Sequence, residues 1–405
     1  MRYFVPYIHL LVPLIKGDLG RSLTMYLKSL NLRHFRNYSE QKVTFAAAKT
    51  IILGDNAQGK SNLIEAVEIL SALKSHRTSR DRELIQSSET SAQIVGNLDR
   101  LDSSLELSIT LRANGRRTVA LNGLTQRRQL DFLGKLNMVQ FSSLDLDLVR
   151  GGPDCRRSWI DGLLIQLEPI YAHILQQYNH ILRQRNARLK TLKANAQNTS
   201  NDLEPDDLAL WDAQLAVAGS RVIRRRDRVI QRLLPFAQHW HEAISGKSEQ
   251  LQINYKPNVS VDTDLNDLDQ NTPEAIQSQF LDKIREKRTI ELYQGTTLVG
   301  PHRDDIEFTV NDTIARQYGS QGQQRTLVLA LKLAELKLIE DVIGEPPILL
   351  LDDVLAELDL HRQNQLLEAI QDRFQTLITT THLGSFDAQW LNSAQILNIK
   401  AGQLY

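Results

Sequence analysis

A chain of 405 residues is longer than one ordinary domain of about 150 residues, so two or three domains are expected. Apolar residues make up 41% and charged residues 24%, ordinary values that exclude a disordered, fibrous or membrane-spanning protein. The 48 basic and 48 acidic side chains cancel, so any attraction to nucleic acid or to an anionic surface has to come from local clusters. A single cysteine, Cys155, excludes an internal disulfide framework and points to a reducing, cytoplasmic compartment.

The first stretch, Tyr3 to Ile15, is mostly apolar but too short to span a membrane, and Pro6 and Pro13 would each remove a helical hydrogen bond. No small-residue cleavage site follows it, so residues 1–24 read as an extension, disordered or the product of an upstream start, with the folded protein beginning at Met25. From there Leu30, Leu32, Phe35, Val43 and Phe45 predict a hairpin at a sheet edge. Thr50 to Leu53 reads as a short buried strand, and Leu63, Ile64, Val67 and Leu70 fall on one face of a helix after it. Arg77 to Arg82 is a basic loop; Leu105, Leu107, Ile109 and Leu111 alternate as a strand before a turn at Asn114 and Gly115, and further sheet runs to Phe141.

The period becomes helical from about Trp159 to Arg232, with one basic cluster at Arg183, Arg185, Arg188, Lys190 and Lys193. A second cluster comprises Arg221, Arg224, Arg225, Arg226, Arg228 and Arg232. Acidic, turn-rich residues 201–207 separate the two clusters, and 258–273 read as an exposed polar loop. Mixed signals resume at Leu298, and Ile348 to Leu351 is the continuous apolar run of a buried parallel strand. The expected division is 25–164 and 291–405 for the two parts of one α/β unit, with a mainly helical lobe at 165–290.

Between the strand at Thr50 and the helix at Leu63 lies GDNAQGKS, which satisfies G-x-x-x-x-G-K-[ST] in the strand-then-helix context that the pattern needs. An isolated match would read as a glycine turn; the context selects a phosphate cradle. Gly54 and Gly59 let the backbone curl, and its amides at Asp55, Asn56, Ala57 and Gln58 can face phosphate oxygens at a helix N-terminus. Lys60 supplies the counter-charge and Ser61 a hydroxyl for Mg²⁺. Such a loop needs a carboxylate for its metal; Asp352, ending the strand at Ile348, is the candidate, and Asp353 is the candidate for polarising an attacking water. As a bare pair these aspartates read equally well as helix caps.

SQGQQR at Ser320 opens a helix and could bind anionic oxygen, LAELD follows the double aspartate, and TTTH ends on His382. In this order the pieces resemble an ABC-type P-loop ATPase head, with the two nucleotide motifs at opposite ends of the chain as in the Rad50 and SMC proteins. MYLKSLNLRHFRNY from Met25, KSHRTSRDRELI from Lys74, LDLVRGGPDCRRSWID from Leu146, TLVGPHRDD from Thr297 and GSQGQQRTLVLALKLAE from Gly319 resemble the RecF family over Met25 to Tyr405.

That resemblance implies an ATP-dependent DNA-binding protein of recombinational repair and replication, with weak DNA-stimulated ATPase activity. It implies ATP and Mg²⁺ as cofactors, an ATP-dependent homodimer on gapped or junction DNA, and RecO and RecR as partners in RecA loading. By motif, Gly54 to Ser61 hold the phosphates, Ser61, Asp352 and Gln140 the metal, and Asp353, Lys60 and His382 the catalytic roles. Ser320, Gly322 and Gln323 would contact nucleotide on the partner subunit. Aspartate at 353, where many ABC ATPases carry glutamate, fits slow turnover. Arg77, Arg80, Arg127 and Arg128 are the DNA candidates, since binding without sequence preference needs only cations against phosphates. Two rival readings are the nucleotide-binding subunit of a membrane transporter and a non-hydrolysing, nucleotide-switched DNA-binding module.

Overall fold

The computed structural model describes residues 25–100, 103–198, 208–246, 249–259, 272–370 and 373–405. The extension at 1–24, the acidic piece at 201–207 and most of the polar stretch at 258–273 lie outside the described residues. The first part of the chain contains β1 (Met25–Phe35), β2 (Tyr38–Thr44), β3 (Lys49–Leu53), α1 (Lys60–Ala72), β4 (Ser91–Arg100), β5 (Ser103–Arg112) and β6 (Arg117–Leu121). It continues with β7 (Leu124–Thr125), β8 (Met138–Phe141) and α2 (Asp147–Arg150). Then come α3 (Pro153–Leu167), α4 (Ile170–Asn198), α5 (Ala209–Ser245), β9 (Leu251–Lys256) and α6 (Pro273–Gln294). The last part holds β10 (Asp305–Val310), β11 (Thr313–Ile314), α7 (Ala315–Tyr318), α8 (Gln321–Ile343), β12 (Ile348–Asp352), α9 (Leu360–Ile370), β13 (Thr376–Thr380), α10 (Ala388–Ser393), β14 (Ala394–Lys400) and β15 (Gln403–Leu404).

Two six-stranded sheets carry the head. One, ordered β2-β1-β4-β5-β6-β7, is antiparallel, and its alternating strands bury Leu27, Leu30, Ile94, Leu107 and Ile109 on one face while polar side chains face water. The other, β15-β14-β3-β13-β12-β8, is parallel except for β15 and is assembled from both ends of the chain. Its central strands are buried on both faces, so neighbours in sequence enter different cores. Ile52, Ile348, Leu350 and Leu377 pack with α1 toward the antiparallel sheet, whereas Ile51, Leu349, Leu351 and Ile378 join the core shared with α8 and the lobe helices. The predicted α/β head with an inserted helical lobe is therefore the observed architecture.

Helix ends follow local chemistry. Ser320 caps α8 in a reciprocal capping box with Gln323, and Gly344 ends that helix in the left-handed region at φ 81°. Thr272 caps α6, with Pro273 in the first turn, where its missing N–H costs nothing. The lobe departs from the expected picture in two ways. Helix starts at Pro153, earlier than the periodicity suggests, because Pro153 is itself an N-terminal helix signal. A three-stranded sheet, β11-β10-β9, also crosses position 290, joining the lobe to the returning head.

Two arginines of the basic clusters are interior. Arg185 is fully buried, donating to Asp212 Oδ1 at 2.8 Å, Glu291 Oε2 at 2.6 Å and Thr297 Oγ1 at 2.8 Å, so it braces α4, α5 and α6. Arg226 is buried between Asp161 and Asp304, tying α5 to α3 and to the turn before β10. The 3.6-residue period places both on inward faces that a count of charges does not reveal.

Candidate nucleotide site

The parallel strands β3, β12 and β13 end on one edge, the place where α/β sheets present ligand sites. Leu53 pairs with Thr380 and Asp352 with Thr379, so the turns that follow Leu53 and Asp352 emerge side by side. Gly54 sits against β14, where a Cβ would come 2.5 Å from the Ile399 carbonyl oxygen. Gly59 has φ 116°, and a Cβ there would lie 2.6 Å from Asn37 Nδ2. Close approach thus demands glycine at both positions, and at Gly59 the left-handed backbone demands it as well.

The loop is held from outside. Tyr38 Oη donates to the Gly59 carbonyl at 2.8 Å, and Asn37 Nδ2 and the Gly402 amide both donate to the Gln58 carbonyl at 3.0 Å. The Ala401 amide reaches Gln58 Oε1 at 2.6 Å. Lys60 is buried and donates only to the main-chain carbonyls of Gly54, at 2.8 Å, and Asp55, at 3.1 Å. Among the described residues no carboxylate pairs with it, so its charge is left for an anion at the loop. Opposite, Asp352 Oδ1 accepts from Ser61 Oγ at 2.8 Å and from Thr379 Oγ1 at 2.7 Å. This hydroxyl beside a carboxylate fits a hard cation such as Mg²⁺, whose remaining ligands would be phosphate oxygens and water. Asp353 adopts the left-handed region at φ 53°, its amide donating to Thr379 Oγ1 at 2.9 Å. Burial pushes its carboxyl above the ordinary range, Lys60 pulls it down and the Asp352 charge raises it further.

The other anticipated residues lie around this centre in three groups. Gln140, at the edge strand β8, has Nε2 3.2 Å from His76 Nδ1, which is itself 2.6 Å from Glu68 Oε2. Burial works to lower the His76 pKa, but the Glu68 hydrogen bond and the charges of Glu68, Glu65 and Asp352 outweigh it, and the net shift is upward. His382 is exposed, its amide bound by Thr380 Oγ1 at 3.3 Å. Ser320, Gly322 and Gln323 stand at the start of α8, and no hydrogen bond among the described residues joins them to Gly54–Ser61. The Gln323 side chain is occupied by the capping box and by Glu249 Oε1 at 2.8 Å.

Arg77 donates to Asn62 Oδ1 at 2.7 Å and lies 3.3 Å from Glu65 Oε2, while Asn62 reaches Asn37 and through it the loop at Gln58. Arg80 is 82% exposed, with a loose contact to Glu83, and Arg127 and Arg128 are exposed. Sequence reasoning did not single out Arg36, His76, Thr379 or Arg362. Arg36 forms a two-pronged contact with buried Glu65, at 2.9 and 2.6 Å, and Arg362 links Thr326 and the Gly322 carbonyl of the α8 start to Asp359. The threonine run before His382 was the available signal for Thr379, since a strand-end hydroxyl naturally faces the neighbouring strand-end carboxylate.

The model of the RecF/RecN/SMC N-terminal domain matches residues 26–398. Curated relatives named DNA replication and repair protein RecF include those of Nostoc punctiforme, 67% identical over 94% of this chain and 99% of the relative, and Acaryochloris marina, 63% identical over 94% and 99%. The chain belongs to the RecF family. Among solved structures, a recombination mediator protein RecF with ATP, described in the RecFOR pathway, superposes with a TM-score of 0.85 at 31% identity, covering 96% of this chain and 99% of that one. An SMC head domain from Pyrococcus furiosus, 16% identical, covers 94% of this chain and 95% of its own with a TM-score of 0.50, a likeness of fold alone. In this RecF family chain the loop at Gly54–Ser61 and the strand end at Asp352 come from opposite parts of the sequence and meet in one parallel sheet. No helix among its described residues is long and apolar enough to cross a membrane.

Proposed function

We propose that this RecF family member is an ATP-dependent DNA-binding protein of recombinational repair and replication, acting in the cytoplasm with RecO and RecR to help load RecA. The observation that carries the reading is the convergence of unpaired Lys60 with Ser61, Asp352 and Asp353 at adjoining strand ends, in a chain whose RecF relatives are solved with ATP and an ATP analogue. The amides of Asp55 to Lys60 and the Lys60 ammonium hold the phosphates. Ser61 and Asp352 would hold Mg²⁺ with Gln140 nearby, and the metal would offset phosphate charge. Asp353 accepts the proton of the attacking water, and its upward-shifted carboxyl suits that task. His382 stands on the rim, and Ser320, Gly322 and Gln323 of a second copy close over the nucleotide. The closed homodimer presents Arg80, Arg127 and Arg128 to DNA, and Arg77 exchanges Glu65 for a phosphate.

The test compares hydrolysis by the parent with Asp353→Asn and Asp352→Asn, each with and without duplex, gapped and single-stranded DNA. Asp353→Asn should bind ATP normally and hydrolyse it about 10²-fold more slowly, whereas Asp352→Asn should lose Mg²⁺-dependent nucleotide affinity. The parent rate should rise with pH through the acid range, because Asp353 works only when deprotonated and its shift upward moves that rise to higher pH. Equal behaviour of the two variants would overturn the division of roles. No stimulation by any DNA, with association to lipid vesicles, would favour a transporter subunit; absent hydrolysis with intact DNA binding would favour a passive switch.

A further inference from the structure

The interior of the lobe uses only part of its arginines. Arg185 and Arg226 are buried, Arg225 lies 3.1 Å from Glu168, and Arg232 reaches Asp341 at 3.9 Å. Arg221, Arg224 and Arg228 are exposed, and among the described residues none of the three side chains has a carboxylate partner. Positions i, i+3 and i+7 fall within an arc of about 60° on a helix and span about 10 Å of its axis, so the three guanidinium groups share one outward row. An acid three or four residues away on the helix would pair with such a base. Here the one acid at that spacing, Asp227, is half-buried, hydrogen-bonded by Gln231 Nε2 at 2.9 Å, and held toward its neutral form by burial. The neighbouring α4, Ile170–Asn198, contains no aspartate or glutamate at all.

We propose that Arg221, Arg224 and Arg228 on α5 form a phosphate-backbone site for duplex DNA on the helical lobe, distinct from the arginines of the head. The proposal rests on the DNA-binding reading above and deepens it. Duplex DNA presents about one phosphate per 3.4 Å of axis on each strand, so long arginine side chains in a row of about 10 Å have successive phosphates of one strand within reach. No aromatic residue lies within 221–228 to stack a base, which makes the contact one with the backbone, without sequence preference. Arginine suits this task because its planar fork pairs with phosphate oxygens two at a time.

The experiment measures duplex binding by the full chain with the ATP analogue ATPγS, over about 50 to 200 mM salt, for the parent and for a triple variant with Arg221→Gln, Arg224→Gln and Arg228→Gln. The plot of log affinity against log salt should become shallower by about 2.7, about 0.9 for each lost phosphate contact, and low-salt affinity should fall at least about tenfold. Nucleotide affinity and melting temperature should not change, since among the described residues these side chains have no bonding partner. The corresponding triple Arg→Lys variant should recover most of the slope. A parental slope in the Gln variant, or a Lys variant as weak as the Gln variant, would overturn the proposal. So would unchanged duplex binding with lost binding of a polyglutamate probe, which would assign the row to an acidic protein segment. A parent that binds no duplex at any salt would overturn the DNA-binding reading and this site with it; a parent that binds while the triple variant matches it removes this site alone.

Discussion

Two buried cations stand in opposite situations. In the lobe, Arg185 is surrounded by two carboxylates and a hydroxyl, its charge and all three of its nitrogens satisfied by α5, α6 and the turn after α6. In the head, Lys60 is 4% exposed, and among the described residues its ammonium hydrogen-bonds only to two carbonyl oxygens of its own loop. A buried charge that is neutralised by the protein holds the fold together; one that is solvated but not neutralised is held ready for something the protein lacks. The same contrast separates carboxylates. Glu291 is enclosed with Arg185, while Asp352 accepts hydrogen bonds from two hydroxyls and Asp353 has Lys60 as its moderating charge.

The strongest way to break this comparison is Arg185→Ala. It leaves Glu291 buried with only the Leu298 amide and deprives Asp212 of one of its two arginines, and a single buried partner removed costs about 3–5 kcal/mol. Denaturant unfolding should show that loss, and a variant as stable as the parent would mean the brace is dispensable. Lys60→Met should behave in the reverse sense. ATP affinity should fall about 100-fold, about 2.7 kcal/mol, while unfolding without nucleotide is unchanged or slightly harder, because an unneutralised buried ammonium has been replaced by a thioether. Equilibrium titration with a fluorescent ATP analogue checks the first half and denaturant unfolding the second.

The head was largely legible because its motifs announce backbone conformation. Gly54 and Gly59 mark close approaches, Ile348 to Leu351 marks a strand buried on both faces, and Ser320 marks a helix start. Basic clusters carry no such signal, since residues of one type split between core and surface according to helical phase. Arg224 faces water and Arg226, two residues on, faces Asp161 and Asp304. Contacts such as Asn37 to Gln58 and Arg362 to Gly322 were illegible because they join residues whose partners are set by tertiary approach alone.

The smallest expected effect sharpens the comparison at the junction between lobe and head. His302, in the turn between α6 and β10, has Nδ1 2.6 Å from Tyr178 Oη and Nε2 3.1 Å from the Thr297 carbonyl, contacts the neutral ring satisfies by accepting at Nδ1 and donating at Nε2. Burial lowers its pKa to about 4, with Arg303, Arg157 and Arg185 adding to the shift. An unfolded histidine titrates near 6.5, so between about pH 4 and 6.5 the unfolded chain binds more protons than the folded one, and stability must fall as pH falls through that window. The loss amounts to about 2 kcal/mol once partial exposure is allowed for, and it levels off below about pH 4. His302→Asn keeps an acceptor toward Tyr178 but cannot take up the proton. Unfolding free energies of parent and variant should therefore converge on acidification, the variant losing less between pH 6.5 and 4. Parallel curves would show that the ring takes up its proton as readily in the folded protein as in the unfolded chain, and that burial at this junction does not hold it neutral.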